Sequence, residues 1–154
     1  MRLFHGSNTP IEGIDLSLSK PNKDFGRAFY LSPDVEQAKE MAAFKTDFLG
    51  GIETITVFEI ESLDNLYVKF FDSYSEKWAQ FVYDHRTEPH GKTLHNYDVV
   101  YGPIANDRIG AQITRFKQGY FTFDEFLNRI KFTKGITFQY AFCTQEAINR
   151  LRKI

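Results

Sequence analysis

The chain has 154 residues, 42% of them hydrophobic and 25% charged, which suits one globular domain with its own core and excludes wholesale disorder. Its 19 basic and 20 acidic side chains leave a net charge of −1, so no bulk field draws it to nucleic acid or an anionic membrane. The single cysteine, Cys143, excludes an intrachain disulfide and a cysteine-rich zinc site. No apolar run reaches the ~20 residues that span a bilayer, and the first residues meet a polar loop before any signal-type apolar segment forms. The expectation is one soluble, cytosolic domain over residues 1–154 with no membrane partner.

Residues 2–5 read as a short extended segment, broken at Gly6-Ser7-Asn8-Thr9-Pro10. An irregular stretch follows to Lys23, and loops of that length tend to be functional. Residues 28–31 predict a strand, and Ser32-Pro33-Asp34 predicts a helix start, with a hydroxyl cap and a proline in the first turn. That helix carries Val35, Ala38 and Ala42 on one face and stops at Gly50-Gly51. Strands follow at 52–60 and 66–71, and Ser73 with Glu76 forms a capping box ahead of Trp78, Phe81 and Val82. Residues 86–96 read as a polar loop, and 97–101 as a buried strand stopped at Gly102-Pro103. Thr122 and Glu125 cap a helix bearing Phe126, Leu127 and Ile130. Gly135 precedes a strand over 136–142, and Thr144 opens a last helix with Ala147, Ile148 and Leu151. Strands and helices mix without a βαβα alternation, so the fold class is α+β.

Alternation along a strand puts Ile136, Phe138, Tyr140 and Phe142 on one bulky face and Thr137, Gln139, Ala141 and Cys143 on the other. Gln139 then stands between small neighbours, with open space expected above its amide. Tyr30 has only Ala28 beside it on its own face. His5 ends the first strand against Gly6, where a bare backbone lets a ligand reach the peptide N–H and C=O. Together these residues predict a neutral, ring-stacking site that suits a nucleotide or aromatic amide better than a metal. Each also has an ordinary reading: a core tyrosine, a histidine bonded to a nearby carbonyl, a solvent-facing glutamine.

Lys20, Lys23, Asp24 and Arg27 lie in the loop before this tyrosine. Lys23 or Arg27 is placed to meet a pyrophosphate, or the loop is simply solvated. His85, His90 and His95 lack the spacing of helical metal ligands, so solvated histidines and no metal are expected. Cys143, with no base in view, reads as a small apolar filler. Asp98 and the Asn106-Asp107 pair flank the Gly102-Pro103 turn, either beside the cleft or, the better reading, capping the next helix. No G-x-G-x-x-G, P-loop or G-x-S-x-G occurs, which argues against dehydrogenase, ATPase and hydrolase classes.

Leu3-Phe4-His5-Gly6-Ser7 followed by Phe25-Gly26-Arg27-Ala28-Phe29-Tyr30-Leu31-Ser32 resembles the poly-ADP-ribose polymerase and diphtheria-toxin branch of ADP-ribosyltransferases. The whole chain resembles domain-of-unknown-function family 3990, through the same His-Gly-Ser, the Asn22-to-Gly26 segment and Gln139-Tyr140-Ala141-Phe142. The resemblance implies a split mixed β-sheet with flanking helices around an NAD cleft. It implies that His5 bonds the adenosine-side ribose, the Gly6 backbone binds the nicotinamide carboxamide, and Ser7 supports that contact or the ribose. Tyr30 would stack on the nicotinamide, and Lys23 or Arg27 would meet the diphosphate. Met41, with Phe44 one turn on, falls where related enzymes place an aromatic far wall.

Gln139 occupies the place of that branch's catalytic glutamate. A unit anion about 4 Å from a cationic transition state is worth ~4 kcal/mol at an effective dielectric of 20, nearly three decades in rate. Gln139 keeps a hydrogen-bonding oxygen without charge or basicity, so it does not activate a hydroxyl acceptor for chain elongation. The resemblance therefore implies transfer of one ADP-ribose from NAD to an intracellular protein or nucleic acid, with nicotinamide released. A bacterial toxin with a cognate antitoxin, or a phage-defence effector, is the implied setting. Two rivals stay open: a non-catalytic NAD or ADP-ribose binding module, and an NAD glycohydrolase. RNA 2′-phosphotransferases fit less well, because their extra His and Arg positions are not evident.

Overall fold

The computed structural model describes residues 1–132 and 135–154. Its first half holds β1 (Arg2–Ser7), a 3-10 turn (Leu16–Leu18), β2 (Phe29–Leu31), α1 (Val35–Leu49), β3 (Thr54–Glu59), β4 (Val68–Phe70) and α2 (Glu76–Thr87). The second half holds β5 (Val99–Pro103), α3 (Ile109–Lys117), α4 (Phe123–Ile130), β6 (Phe138–Phe142), α5 (Gln145–Ile148) and β7 (Arg152–Lys153). The β-branched run of β3 pairs antiparallel with β1 on one side and β7 on the other. The second sheet runs β2-β6-β5-β4, antiparallel except for β4 against β5. A bridge between Phe4 and Ser32 joins the two sheets.

Two apolar clusters hold these layers. One, with Phe25, Trp78, Val82, Val100, Phe126, Ile130 and Ala141, lies on one face of the four-stranded sheet. The other, with Leu3, Leu31, Phe58, Val99, Phe142 and Ala147, lies on the opposite face. β6 is therefore buried on both sides, Ala141 and Phe142 alike having no exposed surface. Trp78 is fully buried and donates its indole N–H to the Pro103 carbonyl at 3.0 Å, so its polar edge costs little to bury. Among the described residues no helix is long and apolar enough to cross a membrane.

Several sequence expectations shift at their edges. β1 continues through Gly6 and Ser7, because β3 keeps pairing them with Ile55 and Thr54. α1 is capped by Asp34, which accepts from the Glu36 N–H at 2.9 Å, while the backbone of Ser32 is committed to the sheet bridge. α2 is capped by Ser75 rather than Ser73, its Oγ accepting from the Trp78 N–H at 3.1 Å. Thr122 and Thr144 cap α4 and α5 as the sequence suggests. Asp107 is exposed and caps nothing; α3 starts without a side-chain cap, and Asn106 accepts instead from the Arg108 N–H. Asp98 accepts from the Thr144 hydroxyl and the Tyr67 N–H, tying the start of α5 to the residue that leads into β4.

Candidate functional site

Phe4 and Ser32 exchange two backbone hydrogen bonds of 2.8 Å. Continuing that antiparallel register would set Gly6 opposite Tyr30, but there the strands part and leave a fork. His5 Nδ1 takes the Tyr30 carbonyl at 3.0 Å. A carbonyl only accepts, so Nδ1 carries the proton and Nε2 is left as an acceptor. Burial lowers the His5 pKa to about 4; the bond to Tyr30 works against this and the Lys45 charge works with it. The ring is neutral at physiological pH and stacks on Phe29 at 4.6 Å. His5 thus shares the Phe29 face, whereas Tyr30 and Gln139 share the other, because Tyr30 pairs with Ala141 two residues along β6.

Gly6 serves a purpose the sequence did not disclose. A Cβ there would lie 1.9 Å from the Ala38 carbonyl oxygen and 2.9 Å from the Ala42 nitrogen. The missing side chain lets α1 pack on the β1 backbone. The Gly6 N–H and C=O still project on the same edge as those of Phe4, into the fork. Lys45 Nζ reaches over from α1 and donates to that carbonyl at 3.2 Å. Ser7 is buried, and its hydroxyl donates to Asn8 Oδ1 at 3.5 Å.

Tyr30 is anchored by its hydroxyl, which donates to the Gly26 carbonyl at 2.7 Å and accepts from the Phe25 N–H at 3.0 Å. Burial, and then the nearby Asp24 carboxylate, push its pKa well above the tyrosine range. The segment supplying these partners folds back through left-handed turns at Asn22 (φ 59) and Gly26 (φ 89). Asn22 Nδ2 donates to the His85 and Glu88 carbonyls at 2.9 Å, and His95 Nε2 donates to the Phe25 carbonyl at 2.9 Å. Asp24 is thereby buried, with Oδ1 2.8 Å from Arg86 Nε and Oδ2 3.2 Å from Gln139 Nε2. The open space expected above Gln139 is filled by this carboxylate.

The loop cations divide. The Arg27 guanidinium donates to the Ser17 and Ser19 carbonyls, locking the 3-10 turn, so it is not the free diphosphate ligand the sequence allowed. Lys20, Lys23 and Lys45 have no carboxylate partner among the described residues. Desolvation lowers the Lys45 pKa, and the Lys23 and Lys20 charges lower it further. Desolvation also lowers that of Lys23, as do Arg86 and Lys20, while Asp24 pulls it back. Cations that repel one another in this way attract an anion. Met41 and Phe44 are exposed on α1, where Phe44 packs on Phe48 at 4.9 Å.

The histidines are not solvated as expected, His90 excepted. His85 is buried, with Nδ1 on the Phe81 carbonyl and Nε2 accepting from the Leu94 N–H. His95 Nδ1 accepts from the Tyr97 N–H. A carbonyl on one nitrogen and an N–H on the other fix each ring as a neutral tautomer, and burial lowers both pKa values. No group of three metal-binding side chains forms among the described residues. Burial pushes the Cys143 thiol up to about 12, as befits an apolar filler. A cavity of about 760 Å³ opens beside Gln37, Asn106, Arg108, Gln112 and Thr137, and one of about 480 Å³ beside Arg115 and Tyr120. Neither is lined by His5, Tyr30 or Gln139.

Sequence reasoning missed Lys45, Arg86 and the contact of Asp24. Lys45 had a signal, since it follows Ala38 and Ala42 at helical spacing on the face toward β1. Arg86 had none, because its ion pair joins segments 62 residues apart.

The family model described as protein of unknown function (DUF3990) matches residues 1–152, and the chain belongs to that family. No curated protein and no solved structure matches it.

Proposed function

We propose that this DUF3990-family chain is an NAD-dependent mono-ADP-ribosyltransferase that moves one ADP-ribose to a protein or nucleic acid and releases nicotinamide. The observation that carries this reading is the fork between β1 and β2. There the Gly6 N–H and C=O sit side by side at an unladdered edge, the donor–acceptor pair a carboxamide requires. Three further features support it. Tyr30 is fixed by its hydroxyl on the Gly26 carbonyl, His5 Nε2 has no partner among the described residues and is left to accept from a ribose hydroxyl, and Lys20, Lys23 and Lys45 supply charge for a diphosphate. On binding, Lys45 would release the Gly6 carbonyl to the carboxamide and turn to the phosphates.

In the reaction the bond from ribose C1′ to the nicotinamide nitrogen breaks, and its electron pair leaves with neutral nicotinamide. The acceptor nucleophile bonds to C1′ and loses its proton to water. The Gln139 oxygen accepts from the 2′-hydroxyl but does not take the acceptor's proton, so the reading is one transfer to an acceptor already nucleophilic. A cytoplasmic toxin held by a cognate antitoxin, or a phage-defence effector, is the setting we propose.

One observation favours a second reading, a non-catalytic NAD-binding module: the side chain at position 139 is neutral and already engaged by Asp24. NAD labelled separately in its nicotinamide and adenylate parts, incubated with the protein and cell extract, separates the readings. Free nicotinamide with labelled macromolecule supports the transferase, free nicotinamide alone a glycohydrolase, and binding without release the module. By calorimetry Tyr30→Ala should weaken NAD binding by ~1–3 kcal/mol, the range for base–aromatic stacking. Equal affinity in the two folded proteins would refute the Tyr30 pocket.

A further inference from the structure

We infer that Asp24, held by Arg86, is a positioning residue for Gln139, and that the two together do what a single carboxylate does in the resembled enzymes. This rests on the transferase reading. Asp24 Oδ1 is taken by Arg86, with Nε at 2.8 Å and the terminal nitrogen at 2.6 Å, while Oδ2 faces Gln139 Nε2 at 3.2 Å. An ionised carboxylate only accepts hydrogen bonds, so the amide presents its NH2 to Asp24 and turns its oxygen away. That oxygen has no partner among the described residues and is left to accept from a ribose hydroxyl. A glutamine without such a partner is free to present either end of its amide, and half of those orientations offer a donor where an acceptor is needed.

The contact also transmits charge. A carboxylate bonded to the amide N–H polarises the group and raises the negative charge on its oxygen. Arg86 holds one end of the carboxylate, both of its nitrogens on Oδ1, which leaves Oδ2 to Gln139. The three residues come from a loop, a helix and a strand remote in sequence, so ordinary local capping does not account for their contacts. Among the described residues Asp24 is the buried carboxylate in contact with the strand bearing Gln139.

The test uses the purified full chain, labelled NAD and cell extract. D24N, nearly isosteric, removes the charge and lets the Gln139 amide flip. It should lower kcat for nicotinamide release by ~10–100-fold, as loss of an outer orienting partner does elsewhere, with KM for NAD changed less than ~3-fold. The double exchange D24N/Q139E moves the carboxylate to position 139 and keeps a hydrogen bond, now donated by the amide at position 24. It should restore kcat to within ~3-fold of the starting chain. Melting curves accompany each variant. The inference is overturned if D24N keeps full kcat, or if its loss follows a melting-point drop and the double exchange does not restore activity. It is also overturned if the starting chain binds NAD without releasing nicotinamide, a result that leaves the binding-module reading in place. A starting chain that binds no NAD removes the transferase reading itself, and this inference with it.

Discussion

Gly6→Ala tests the packing role of this glycine directly. The added methyl would begin 1.9 Å from the Ala38 carbonyl oxygen and 2.9 Å from two further α1 backbone atoms, Ala38 C and Ala42 N. These are backbone atoms, so no rotamer change relieves the clash; α1 must move off β1. Overpacking of this kind costs ~1–3 kcal/mol, and the rigid partner argues for the upper end. For a domain of this length each kcal/mol lowers Tm by ~2–4 °C, so a drop of about 6–12 °C is expected. Circular dichroism melts of the variant and of Gly13→Ala supply the comparison, because Gly13 has open space within 4 Å and no left-handed φ. Gly13→Ala should change Tm by less than about 2 °C. If Gly6→Ala melts with the starting chain, α1 does not rest on the β1 backbone and the account of Gly6 is wrong.

Acid should destabilise the fold through His5. Its folded pKa of about 4 lies below the ordinary 6.5, so between those values the unfolded chain binds a proton that the folded chain does not. The stability present above pH 6.5 is then lost as pH falls, by about 2 kcal/mol at pH 5. His5→Gln keeps a donor for the Tyr30 carbonyl without titrating, so its melts should show a shallower pH slope; an unchanged slope would remove His5 as the cause. Lys45→Met keeps the aliphatic stem on α1 and should weaken NAD binding about 10-fold at low salt, with a smaller effect at high salt. Calorimetry at two ionic strengths checks this, and equal affinity at both would take Lys45 out of the diphosphate site.

Much of the secondary structure was legible because it rests on local rules. Thr122 and Thr144 cap helices where a hydroxyl meets the third amide beyond it, and the β-branched run of β3 has no competing helical pattern. Where the expectation slipped, a distant partner intervened. Ser32 could not cap α1 at the first opportunity because its backbone was already paired with Phe4. The two-residue β7 is too short to carry any pattern and exists because β3 offers it an edge.

The sequence by itself determined which side chains are available near the fork, and their order: His5-Gly6 on a first strand, Tyr30 on a second, Gln139 on a late one. It determined the apolar periodicity that buries Trp78, Phe126 and Ala141, because hydrophobic spacing and capping act over a few residues. The tertiary structure alone decided what faces what. It turned His5 and Tyr30 to opposite sides of the strands, set α1 on the bare face of Gly6 while leaving its N–H and C=O edge at the fork, and drew Lys45 there. It also set the carboxylate of Asp24 on the amide of Gln139, 115 residues away in the chain. Such contacts form because a buried charge needs a partner wherever the packed layers bring one, and no local pattern encodes which layer that will be.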